Sequence, residues 1–138
     1  MSPKQPALPT IDTPYMIDFL TKLLNTPSPT GFTSQAIALV EKELAAFAEV
    51  RTEWTQKGSL LAFLPGQDRS EAPATRGLTA HVDTLGGMVR GIKPSGRLEL
   101  TNIGGFAWGS IEGENCLVHT REKGTVRGCL LPNKASVH

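Results

Sequence analysis

Apolar residues along this chain keep two different rhythms. Met16, Phe19, Leu20, Leu23 and Leu24 recur three and four apart, which places them on one face of a helix. Thr13-Pro14 offers that helix an N-cap and a first-turn proline. Pro27 and Pro29 stop it near Asn25, because a proline pushes the residue before it out of helical geometry. Thr33 or Ser34 can cap a second helix, with Ile37, Val40, Leu44 and Phe47 as its expected buried face and Glu41, Lys42 and Glu43 outside. From Val50 the period becomes two. Val50, Thr52 and Trp54 share one side of a strand, Lys57-Gly58 turns the chain, and residues 59–64 return. Residues 65–76 are polar and read as an exposed loop, while the short apolar run at 78–82 reads as a strand buried on both faces of a sheet.

After Gly86-Gly87 helical spacing ceases. Residues 88–92, 96–101, 116–120 and 125–131 read as strands, joined by turns at 93–96 and 121–124. The last turn decides the relation of the two cysteines. A two-residue loop at Glu122-Lys123 would set Cys116 opposite Cys129. A three-residue loop with Gly124 left-handed would set Cys116 opposite Leu130 and leave the thiols on opposite faces. The second register, with free thiols, is the expected one.

Composition narrows the classes. Hydrophobic residues at 39% and charged residues at 20% fit a soluble globular protein rather than a disordered tail. Fourteen basic residues against thirteen acidic ones, in no run, give no electrostatic case for nucleic acid or anionic membranes. No stretch approaches the ~20 apolar residues that span a bilayer, and the first ten residues lack the apolar core of a signal peptide. A cytoplasmic location follows as the expectation, and two cysteines are too few for a disulfide framework.

The chemistry concentrates at His81-Val82-Asp83, where the apolar run ends in glycines. Side chains at i and i+2 of an extended strand project to one face, so an imidazole and a carboxylate can act together there. His81 can offer a ring nitrogen to a cation while Asp83 holds the ring through the other nitrogen. Ligands in open α/β sheets bind outside the carboxyl ends of strands, where this pair would lie. Elsewhere the signals are weak. Ser28 has no nucleophile-elbow frame, and the glycine-rich 104–109 stretch opens no helix that could cradle phosphate. Glu112 and Glu114 sit in a loop, no histidine is arranged as a base for either cysteine except His119, which reads as a hairpin surface residue, and Phe106 and Trp108 suit a domain or subunit contact.

Three separated stretches together resemble the M42 family of metallo-aminopeptidases. They are T-P-S-P-T-G at 26–31, T-A-H-V-D-T-L-G-G-M-V at 79–89 and L-E-L-T-N-I-G-G at 98–105, similar in order and spacing to the family's motifs from about Tyr15 to Lys134. The resemblance implies an α/β fold: a mobile leader at 1–12, the front part of a mixed-sheet co-catalytic metallopeptidase domain at 13–86, and at 87–138 the start of an inserted β-barrel-like domain that mediates assembly. It implies hydrolysis of N-terminal peptide bonds in peptide substrates, a homo-oligomer, and two divalent ions per complete site, zinc or cobalt. Such ions polarise the carbonyl and acidify a water whose proton a glutamate takes. His81 matches the first metal ligand and Asp83 an active-site residue. The family's other ligands and its general base would lie beyond residue 138, so the chain as given is expected to be inactive by itself. Two alternatives stand beside this: a non-catalytic β-rich interaction or assembly module, and a truncated product with no function of its own.

Overall fold

Asp12, one residue before the expected Thr13, caps the first helix. In the computed structural model of the chain α1 runs Thr13–Leu24, and the Asp12 carboxylate accepts the Tyr15 N–H at 3.0 Å. A carboxylate at that end meets orphan N–H groups and the positive end of the helix dipole, which makes aspartate the stronger cap. The helix ends at Asn25, whose backbone N–H donates to the Thr21 carbonyl at 3.1 Å and whose side-chain amide donates to it at 2.8 Å. The structure describes residues 10–66 and 76–132. Most of the expected leader and most of the expected 65–76 loop therefore lie outside the described residues.

The second helix, α2, is Ser34–Leu44, with Thr33 at the cap position but making no side-chain cap bond. Its buried face is narrower than the apolar pattern implied. Ala36 is buried, Ile37, Val40 and Leu44 are half-buried, and Phe47 lies past the helix end and is exposed. A helical stripe is buried only where another element covers it, and α1 packs on α2 with little else above that face among the described residues. Two strands follow, β1 (Arg51–Trp54) and β2 (Leu60–Phe63), paired antiparallel with Thr52 opposite Ala62. The Gly58 N–H donates to the Thr55 carbonyl at 3.0 Å and the Thr55 N–H to the Ser59 carbonyl at 2.9 Å, with Gly58 at φ 81°. The Arg51 guanidinium lies 4.2 Å over the Phe63 ring and pairs with Glu53.

The run at 78–82 does not form a strand, a correction to the sequence reading. Among the described residues no strand pairs with it; one isolated parallel bridge joins Pro29 to Thr84, and Leu78 is fully exposed. An apolar run becomes a doubly buried strand only between neighbours that take up its N–H and C=O groups.

The later strands form two further antiparallel pairs: β3 (Gly86–Ile92) with β4 (Leu98–Ile103), and β5 (Asn115–His119) with β6 (Thr125–Cys129). Gly86 and Gly87 extend β3 rather than preceding it, with Leu100 and Trp108 closely covering Gly87. Residues 104–107 lead into a short 3-10 turn, Trp108–Ile111, where the Phe106 and Trp108 rings meet edge to face with centroids 5.0 Å apart. In the last hairpin Cys116 faces Gly128, not Leu130, although the thiols are free and Gly124 is left-handed at φ 70°. The observed loop closes at Thr120. Its N–H and hydroxyl both donate to the Gly124 carbonyl, at 2.9 and 2.7 Å, and its hydroxyl accepts the Lys123 N–H at 2.9 Å. The backbone bond closes a three-residue loop at 121–123, and the Thr120 hydroxyl adds side-chain bonds to it.

The chain divides into two compact units between Thr84 and Leu85. Ala36 is the only buried hydrophobic residue among those described.

Candidate functional site

The proline-rich loop between α1 and α2 is shaped by its own sequence. Phe32 N–H donates to the Pro29 carbonyl at 2.7 Å, and Gly31 has φ 88°, so residues 29–32 make a turn whose third position requires a left-handed backbone. Glycine takes up that conformation without steric cost. Thr30 is thereby held at the tip. The loop is then tied to a distant segment: Thr84 N–H donates to the Ser28 carbonyl at 2.7 Å, and Pro29 and Thr84 form the parallel bridge. Ser28 is 2% exposed, and its hydroxyl has no hydrogen-bond partner among the described residues, the kind of buried group a bound water can satisfy. Ser28 thus tethers the loop through its backbone carbonyl.

That tether sets Thr30 against the His-x-Asp pair. The Thr30 hydroxyl donates to Asp83 Oδ2 at 2.6 Å, and Asp83 Oδ1 lies 2.8 Å from His81 Nδ1. Sequence reasoning placed His81 and Asp83 together and missed Thr30, which lies 53 residues away in the chain. The Thr30-Gly31 turn signal was present, but nothing local said what the turn would touch.

The electrostatics follow from the donors. The Thr30 hydroxyl, then the His81 ring, holds the Asp83 carboxyl below its ordinary value. An ionised carboxylate only accepts, so the proton between the two residues belongs to His81 Nδ1, which leaves the Nε2 lone pair free in the neutral ring. The imidazole is 84% exposed, so Nε2 meets solvent rather than an apolar interior. A depressed carboxyl pKa contributes stability that is present above the unfolded value and lost as pH falls through the folded one. The Thr30–Asp83–His81 link is therefore expected to survive mild acid and to break only below the ordinary carboxyl value of 3.8. Following the Asp83 carboxyl carbon by NMR through an acid titration checks this; a midpoint at or above 3.8 would contradict it.

This donor set fits one position of a metal centre. A neutral imidazole nitrogen backed by a carboxylate is how proteins present histidine to divalent ions. Among the described residues no group of three His, Cys, Asp or Glu side chains gathers to complete such a centre. Glu112 and Glu114 are exposed residues of the second unit, and Cys116 and Cys129 are free. No helix among the described residues is long and apolar enough to cross a membrane.

Comparison with known proteins adds three findings. The sequence profile of the M42 glutamyl aminopeptidase family matches residues 58–138. The protein named "Putative aminopeptidase YhfE" from Bacillus subtilis (strain 168) is 44% identical over 122 residues, which cover 88% of this chain and 34% of YhfE. The crystal structure of the TET aminopeptidase from the marine sediment archaeon Thaumarchaeota archaeon SCGC AB-539-E09 shares the fold with a TM-score of 0.70. That likeness spans 86% of this chain and 32% of the archaeal one at 22% identity. The chain thus spans about a third of the length of the relatives it matches.

Proposed function

Because this chain belongs to the M42 glutamyl aminopeptidase family, we propose that it is the N-terminal segment of a metal-dependent aminopeptidase that hydrolyses N-terminal peptide bonds. In this reading residues 13–86 are the front of the α/β peptidase domain, and residues 87–138 begin an inserted β-barrel-like domain through which copies assemble into a homo-oligomer in the cytoplasm. His81 is a metal ligand through Nε2, and Asp83 orients it. The observation that carries the reading is the His81 ring tied by Nδ1 to Asp83, with its other nitrogen exposed to solvent.

When bound, a pair of divalent ions, zinc or cobalt, supplies Lewis acidity to the scissile carbonyl and lowers the pKa of a water. The chain's own part is to hold one ligand nitrogen deprotonated and aimed. Asp83 fixes the tautomer, and the 27–31 loop, bridged to Thr84, fixes Asp83. One imidazole and one neighbouring carboxylate cannot hold two ions, so the 138-residue chain by itself should release no product from aminoacyl-nitroanilides. No observation favours the alternative of a non-catalytic interaction module.

A graft tests the reading. The matching third of YhfE is replaced by this chain, and the hybrid is assayed beside its parent on aminoacyl-nitroanilides. Activity should disappear with a chelator and return with zinc or cobalt. A hybrid that turns over equally well after complete metal removal would sink the proposal.

A further inference from the structure

We propose that Thr30 is a positioning residue for His81, acting through Asp83; the proposal rests on the reading of His81 as a ligand and adds a residue to it. A carboxylate that holds an exposed imidazole by one oxygen is free to turn about its own bonds. Here the second oxygen is held as well, by the Thr30 hydroxyl at 2.6 Å, so both oxygens of Asp83 are fixed at once. Thr30 is itself immobilised on three counts. Its side chain is β-branched and stiff at χ1. Its backbone lies inside the turn closed by Phe32 N–H and the Pro29 carbonyl. The residue before it is bridged to Thr84, the residue after Asp83.

The consequence concerns where the ring proton sits. The imidazole is 84% exposed, so little except Asp83 opposes its rotation or its exchange of tautomers with water. With the carboxylate clamped, Nδ1 keeps the proton and Nε2 keeps its lone pair. With Thr30 unable to donate, the carboxylate swings, the Nε2–H tautomer gains population, and the nitrogen a cation needs is blocked.

The test uses the whole 138-residue chain and imidazole 15N NMR at a pH about two units above the ordinary histidine value of about 6.5. Wild type should show His81 predominantly as the Nδ1–H tautomer. In Thr30→Val, nearly isosteric but lacking the donor, the ratio of Nδ1–H to Nε2–H should fall about tenfold, the scale of one lost charge-assisted hydrogen bond. Thr30→Ser should restore it, and His119 in the second unit should stay unchanged in all three. An unaltered His81 tautomer in a folded Thr30→Val overturns the proposal. Should that variant not fold, three-bond couplings in wild type decide: a single Thr30 χ1 rotamer supports the clamp, and rotamer averaging overturns it. In the YhfE graft, a metal content left unchanged by His81→Ala would remove the ligand role while the tautomer result stands, so the two failures are distinguishable.

Discussion

Replacing His81 with alanine in the YhfE graft is expected to lower kcat/KM by more than about 100-fold, beyond the 10–100-fold typical of losing an outer partner of a metal ligand. Alanine removes the nitrogen itself, and among the described residues no group of three His, Cys, Asp or Glu gathers to replace it. The nearest carboxylate, Asp83, is already engaged by Thr30 and the ring and would have to break both bonds. Asp83→Asn should fall inside the smaller range. The amide keeps the shape but can turn an N–H toward Nδ1, and that favours the tautomer with its proton on Nε2. The order of the two variants is therefore as informative as their size. Metal content, measured on the same preparations, should drop in His81→Ala and fall less in Asp83→Asn. A His81→Ala hybrid within tenfold of its parent, with its metal retained, would mean that the ring serves only the fold.

The second large effect concerns association. The isolated chain is expected to run on size-exclusion chromatography with light scattering as oligomers or aggregate, with a broad thermal transition. Three two-stranded sheets leave their outer strand edges unpaired among the described residues, and an isolated hairpin is marginal in water. Apolar side chains lie open in both units: Leu61, Phe63 and Leu64 in the first, Trp108, Leu117 and Val126 in the second. The second unit also carries an open groove of about 630 Å³, with Leu98, Leu100 and Val118 in its lining. Such surface gains free energy when another surface covers it, at about 25 cal/mol per Å² of apolar area. Leu61→Lys with Leu117→Lys should shift the distribution toward smaller species. A sharp, cooperative, monomeric wild type would show that these residues close a core of their own.

The helices and hairpins could be read before any coordinates because their causes are local. The three-and-four spacing from Met16 to Leu24 and the alternation from Val50 to Trp54 each correspond to an observed element, shifted by a residue or two at the ends. The His-x-Asp pair was legible for the same reason, two side chains two residues apart. Where the reading slipped, a distant or a side-chain group had intervened. The β5–β6 loop closes one residue earlier than expected, on Thr120 and Gly124, where the Thr120 hydroxyl adds its own bonds to the backbone one. Asp12 outcompeted Thr13 as a cap because its carboxylate reached Tyr15 N–H. The 78–82 run has no strand partner among the described residues because apolar content cannot supply neighbours.

Chain-local rules thus account for which segments coil, which pair with the next segment along, and where an imidazole and a carboxylate become neighbours. They do not reach Thr30. Its hydroxyl meets Asp83 only after the 27–31 loop has been laid along residue 84, a contact that spans 53 positions and costs loop closure before it returns anything. Periodicity measures what a residue shares with its near neighbours. The setting of His81 depends on a partner that folding alone brings within 2.6 Å of Asp83.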